Sequence, residues 1–130
     1  MYSEKRQFGN IGEDLAVKFL MKQGFSIKTR NFLRKCGEID IVAEKRHKIH
    51  FIEVKSVSRD LEVPHETTEY RPEDNVHPAK LKRLYKTIEI YLMDQKVSDE
   101  TEWQIDIVLV YIDKIHKLAK IKTLENIIGE

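Results

Sequence analysis

Two charged residues inside an otherwise apolar stretch, Glu53 and Lys55 of Phe51-Ile52-Glu53-Val54-Lys55-Ser56-Val57, are where this sequence first points to chemistry. Apolar residues at both alternating sets of positions mark an interior strand. Residues two apart on a strand point the same way, so Glu53 and Lys55 share a face. A charge buried there without a partner costs several kcal/mol in practice, on the order given for imperfectly compensated ions. The preceding strand, Glu38–Glu44, supplies a candidate partner. If Lys45-Arg46-His47-Lys48 is the loop of a hairpin, Glu44 faces Ile49, Asp40 falls opposite Glu53, and Glu38 falls opposite Lys55. Opposed carboxylates at cross-strand range repel, and one takes up a proton unless a cation neutralises both. A hard dication with oxygen ligands does this, and Mg²⁺ held by one or two carboxylates with water and substrate phosphate is the usual arrangement. Lys55, about 7 Å along the strand from Glu53, could orient an attacking water or stabilise charge on a phosphate. The competing arrangement is a solvent face on which Lys55 answers the acids in ordinary cross-strand pairs.

These strands need a frame. A first helix is expected from near Gly9 or Asn10 to Gly24, with Phe8, Ile11, Leu15, Phe19 and Leu20 on one side and Glu13 at the stripe's border. An extended segment, Phe25–Phe32, follows, then strands Glu38–Glu44 and Ile49–Val57. Ser58–Asn75 lacks periodicity, contains Pro64 and Pro72, and reads as a long acidic loop. Pro78 opens a second helix. Its stripe is Leu81, Leu84, Tyr85, Ile88, Tyr91 and Leu92, and Lys80 sits at the border where it could meet a phosphate. Strands Trp103–Tyr111 and Ile115–Lys122 complete the order α-β-β-β-α-β-β. Adjacent strands favour antiparallel pairing and the late helix permits a parallel crossover, so the expected fold is α/β, a mixed sheet with helices packed on it.

Length and charge set the bounds. The 130 residues fit one domain, 1–130. With 23 basic against 22 acidic residues, the chain does not grip nucleic acid by bulk charge. The charges are nonetheless clustered: Lys18, Lys22, Lys28, Arg30, Arg34 and Lys35 occur with no acid between them, and Lys80, Lys82, Arg83 and Lys86 open the second helix. Such patches suit a weak nucleic-acid partner or a solvated face. No apolar run approaches a membrane span, and the first residues lack a signal-peptide core, so a cytoplasmic protein with no membrane partner is expected. A single cysteine, Cys36, excludes an internal disulfide, and the five histidines show no recognisable metal spacing.

Gly9–Glu13, Gly37-Glu38-Ile39-Asp40-Ile41 and Phe51-Ile52-Glu53-Val54-Lys55 closely resemble motifs of the YraN-like family of predicted endonucleases. Val76-His77-Pro78-Ala79-Lys80 is similar to its helix-opening motif, and Asp106 to the acid of its later strand. The family falls in the PD-(D/E)xK nuclease superfamily with Holliday-junction resolvases. The resemblance therefore implies a restriction-endonuclease-like core and a metal-dependent endonuclease acting on DNA, including branched DNA. It implies Mg²⁺ or Mn²⁺ bound by Asp40, Glu53 and the Val54 carbonyl, Lys55 positioning water, and Glu13 as a helix-borne catalytic acid. Lys80, Arg30, Arg34 and Lys35 are the expected nucleic-acid contacts, and a homodimer is a permitted state. Ile39 stands where the superfamily has proline, and Val57 where the family usually has arginine. A catalytically inactive nuclease-fold module that binds nucleic acid or a protein is the alternative.

Overall fold

The computed structural model describes residues 4–61 and 78–127. Helix α1 (Glu4–Lys22) is followed by strands β1 (Ser26–Arg34), β2 (Gly37–Lys45) and β3 (Lys48–Ser58). Helix α2 (Pro78–Asp94), β4 (Trp103–Asp113) and β5 (Leu118–Leu124) complete the expected order. The strands lie β1-β2-β3-β4-β5 in one sheet. Pairing is antiparallel except between β3 and β4, which the α2 crossover makes parallel. The fold is thus the α/β mixed sheet that the element order implies.

Alternation places the helices on opposite faces. Ile52 packs with Ala16 and Leu20 of α1, whereas its neighbour Phe51 packs with Ile88 and Tyr91 of α2. The helix α1 begins earlier than the Gly9 or Asn10 expected, and its buried stripe is Gly12, Glu13, Ala16 and Leu20 rather than one that includes Ile11, which is exposed. Gly24 ends it as foreseen: at φ 93° it donates its N–H to Met21, while the Phe25 N–H reaches Leu20, a Schellman closure.

The β2–β3 register is the expected one, with Glu44 facing Ile49. The connection is tighter than the four-residue loop predicted, because Lys45 pairs with Lys48 and only Arg46 and His47 turn. Both have positive φ, 51° and 65°, as a two-residue hairpin turn of the I′ type demands. The final strand starts at Leu118, not Ile115, because Asp113 accepts the N–H groups of Ile115 and His116 and folds Lys114–Lys117 into a turn. Beyond Leu61, the acidic segment expected as a loop lies outside the described residues, as do Val76 and His77.

The α1–β3 contact is close at one point. A Cβ on Gly12 would stand 1.7 Å from Ser56 Oγ and 3.0 Å from its Cβ. Leucine has the better helix propensity, yet Gly12→Leu should lower stability by about 2–3 kcal/mol, because overpacking outweighs propensity in a buried contact. Urea denaturation reads this, and an unchanged midpoint would show that α1 does not seat on β3 here.

Candidate metal and phosphate site

The β2–β3 ladder stops at Ile41↔Ile52. Asp40 and Glu53, next in register, are not a ladder pair as the hairpin geometry predicted. Instead the strands part, and the Asp40 carboxylate accepts the Val54 N–H at 2.8 Å. The break extends across β1. Asn31, at φ 54°, lies between Arg30↔Ile41 and Phe32↔Ile39, and there alternation lapses: Ile41 packs on the α1 side and Ile39 on the α2 side. Asparagine tolerates that left-handed conformation better than most residues. Asp40 is thereby turned out of the regular pleat.

Asp40 borders two cavities. One, of about 200 Å³ on the α2 side, is lined by Asp40, Glu53, Lys80 and Arg83 with Ile39, Phe51, Leu84 and Ile105. The other, of about 570 Å³ on the α1 side, takes in Asp40, Glu13, Asn31, Val54 and Ser56. Burial pushes the Asp40 carboxyl up to about 6; the Val54 N–H opposes this, and Glu53, Glu13 and Glu38 add to it.

The other expected site residues fall around this centre. Glu53 is 3.8 Å from Lys55 and 2.5 Å from Lys80, which the first turn of α2 delivers. Glu13 is buried and accepts hydrogen bonds from Arg30 Nε at 3.1 Å and Asn31 Nδ2 at 3.0 Å. Arg30 also holds Asp14, and Arg34 holds Asp94, so both guanidinium groups expected at nucleic acid engage acids. Lys35 is exposed in the β1–β2 turn. Glu38 stands opposite Leu33 on the β1 side, and the expected pairing with Lys55 falls beyond the end of the β2–β3 ladder.

Asp106 is not at this centre. It is buried beside Ile52 in the parallel ladder and accepts from Gln104 Nε2, the Asn126 N–H and the ring of His50. Among the described residues, Asp60, Asp113 and His116 bring three potential metal-ligand atoms within 4.8 Å, and Glu13, Asp40 and Glu53 do not. The Asp113 oxygens already accept N–H groups of His116, Leu61 and Ile115 together with the His116 ring. Led by the His116 N–H, these bonds hold its carboxyl down at about 2, as befits a turn clamp.

Asn31, Arg30 as partner of Glu13, and the latch of Lys80 on Glu53 were not foreseen. The asparagine left no signal beyond its tolerance of positive φ, and Arg30 stood in a basic run whose acid partner is distant in sequence.

A donor set of oxygens only, with one half-buried carboxyl raised chiefly by desolvation and further by three neighbouring acids, fits a hard divalent cation held by two carboxylates. The fold and site therefore define a mixed-sheet α/β protein with an acid-and-lysine centre on its hairpin and crossover helix. The chain belongs to UPF0102, described as an uncharacterised protein family, whose model matches residues 12–110. A UPF0102 protein of Campylobacter jejuni serotype O:23/36 is 43% identical over 107 residues, 82% of this chain and 86% of its own. Another, from Campylobacter lari, is 42% identical over 120 residues, 92% of each. No helix among the described residues is long and apolar enough to cross a membrane.

Proposed function

We propose that this protein is a divalent-metal-dependent phosphodiesterase acting on DNA. The carrying observation is the half-buried Asp40 carboxyl, which feels the charges of Glu53 and Glu13, with Lys55 and Lys80 paired to Glu53. Asp40 and Glu53 would hold Mg²⁺ or Mn²⁺, and the Val54 N–H fixes the orientation of Asp40. When bound, such an ion lowers the pKa of its water and screens charge on the phosphate. Lys55, 3.8 Å from Glu53, would orient the nucleophile. Lys80, which neutralises Glu53 in the free protein, exchanges that carboxylate for a phosphate oxygen. Glu13 is a positioning residue that anchors β1 through Arg30 and Asn31.

The test is nicking of supercoiled and branched DNA in Mn²⁺. Asp40→Ala and Glu53→Ala are expected to lose at least about 100-fold, and Lys55→Ala a similar order, as for removal of a principal electrostatic group. The lysines already on Glu53 favour one second reading, a binding module without catalysis. DNA binding with no cleavage in any divalent cation would select that module.

A further inference from the structure

The residues expected to meet nucleic acid are largely engaged with acids, yet a basic rim exists elsewhere. The larger cavity opens between the first turns of α1 and the β1–β3 surface. Lys5 and Arg6 line its α1 wall, with Phe8 beside them. From the distant β4–β5 turn, Lys114 comes to 4.5 Å over the ring of Phe8, which lines this cavity. The opposite wall carries Leu33, 64% exposed despite its apolar side chain. Asp40 lines the cavity too, with Glu13 and Glu38.

We propose that this α1-side groove is the track for a single nucleic-acid strand, leading its phosphodiester to Asp40. The inference rests on the hydrolase reading and adds to it the substrate class and the contacts. The lining offers such a ligand the cations Lys5 and Arg6, exposed apolar surface at Leu33 for sugar or base, and the carboxylates Asp40, Glu38 and Glu13, the last already paired with Arg30. A volume of about 570 Å³ is that of a pocket for a small ligand, which admits a nucleotide or two of extended strand and not a duplex. Because the same carboxylate borders the cavity of Glu53 and Lys80, a strand in the groove meets the acid-and-lysine centre.

Anisotropy of a labelled oligodeoxynucleotide, single-stranded and as a duplex, tests this in EDTA, where no cleavage intervenes. The single strand should bind tighter than the duplex. In Lys5→Gln/Lys114→Gln, the slope of log affinity against log salt should shrink by about 1.4, two contacts at roughly 0.7 each. Affinity should fall about tenfold. Lys5→Arg/Lys114→Arg should restore both, and Lys120→Gln/Lys122→Gln, on β5, should change neither. An unchanged slope in the Lys5/Lys114 double variant, or a duplex bound as tightly as the single strand, overturns the groove. Should either result accompany intact Mn²⁺-dependent nicking, the hydrolase reading survives without the groove. Loss of slope in a protein that never nicks supports the groove and removes the hydrolase.

Discussion

Asn in place of Asp40 should leave the protein more stable at neutral pH while removing the metal response and the nicking that the proposed function entails. The Asp40 carboxyl ordinarily titrates near 3.8 and stands at about 6 in the fold, chiefly through burial. For an acid with a raised folded-state pKa, stability is fully present below the unfolded value and declines as pH rises through the folded one. The cost is therefore acquired between about pH 4 and 6 and is complete by pH 7, when the ion sits among Glu53, Glu13 and Glu38. A shift of this size corresponds to roughly 2–3 kcal/mol. Asparagine removes the charge, keeps an oxygen to accept the Val54 N–H, and offers its amide to the neighbouring carboxylates. The difference between variant and parent stability, from urea denaturation across pH 4–8, should be small at pH 4 and reach about 2–3 kcal/mol by pH 7.5. Mn²⁺ should stabilise the parent by mass action and the variant little. A variant that gains no stability at pH 7.5 would mean that the carboxyl is not strained by its surroundings.

Much of this was legible before any coordinates, and the successes share a physical origin. The apolar residues on both faces of Phe51–Val57, broken by two charges, identify β3 because burial on both faces leaves little choice of residue. The register that brings Asp40 toward Glu53 survives although the loop was misjudged. Side-chain alternation forbids a one-residue slip, so shortening the turn by one residue on each side leaves every pair unchanged. The extension of the ladder to Lys45 and Lys48 is hard to foresee, because nothing in the types of Arg46 and His47 announces the positive φ of a two-residue turn, as Asn-Gly would. The parting of the strands at Asp40 was illegible for a related reason. It depends on the rotation at Asn31 in a neighbouring strand, and on a side chain replacing a backbone partner for Val54. Exposure of Ile11 and burial of Glu13 were likewise hidden, since Arg30 and Asn31 are what make an acid tolerable on the inner face of α1.

Asp106 gives the opposite outcome for the same residue type, and Asp106→Ala should be among the most destabilising single substitutions in the chain. Where Asp40 is surrounded by carboxylates, Asp106 is surrounded by donors: the His50 ring at 2.6 Å, Gln104 Nε2 at 2.7 Å and the Asn126 N–H at 2.8 Å. It is 2% exposed, and His50 is itself buried edge-on to Phe25. Removing the acceptor strands His50 and the Asn126 N–H together, for which about 3–5 kcal/mol is the expected loss. Against a typical total of roughly 5–15 kcal/mol, that places the variant near its unfolding threshold. The melting temperature should fall by roughly 10 °C or more. Asp106 does not line the cavity of Glu53 and Lys80, so under the proposed function nicking per folded molecule, measured well below the melting point, should match the parent. Activity lost with the melting temperature unchanged would return Asp106 to the chemical centre and show that its donors serve the reaction rather than the frame.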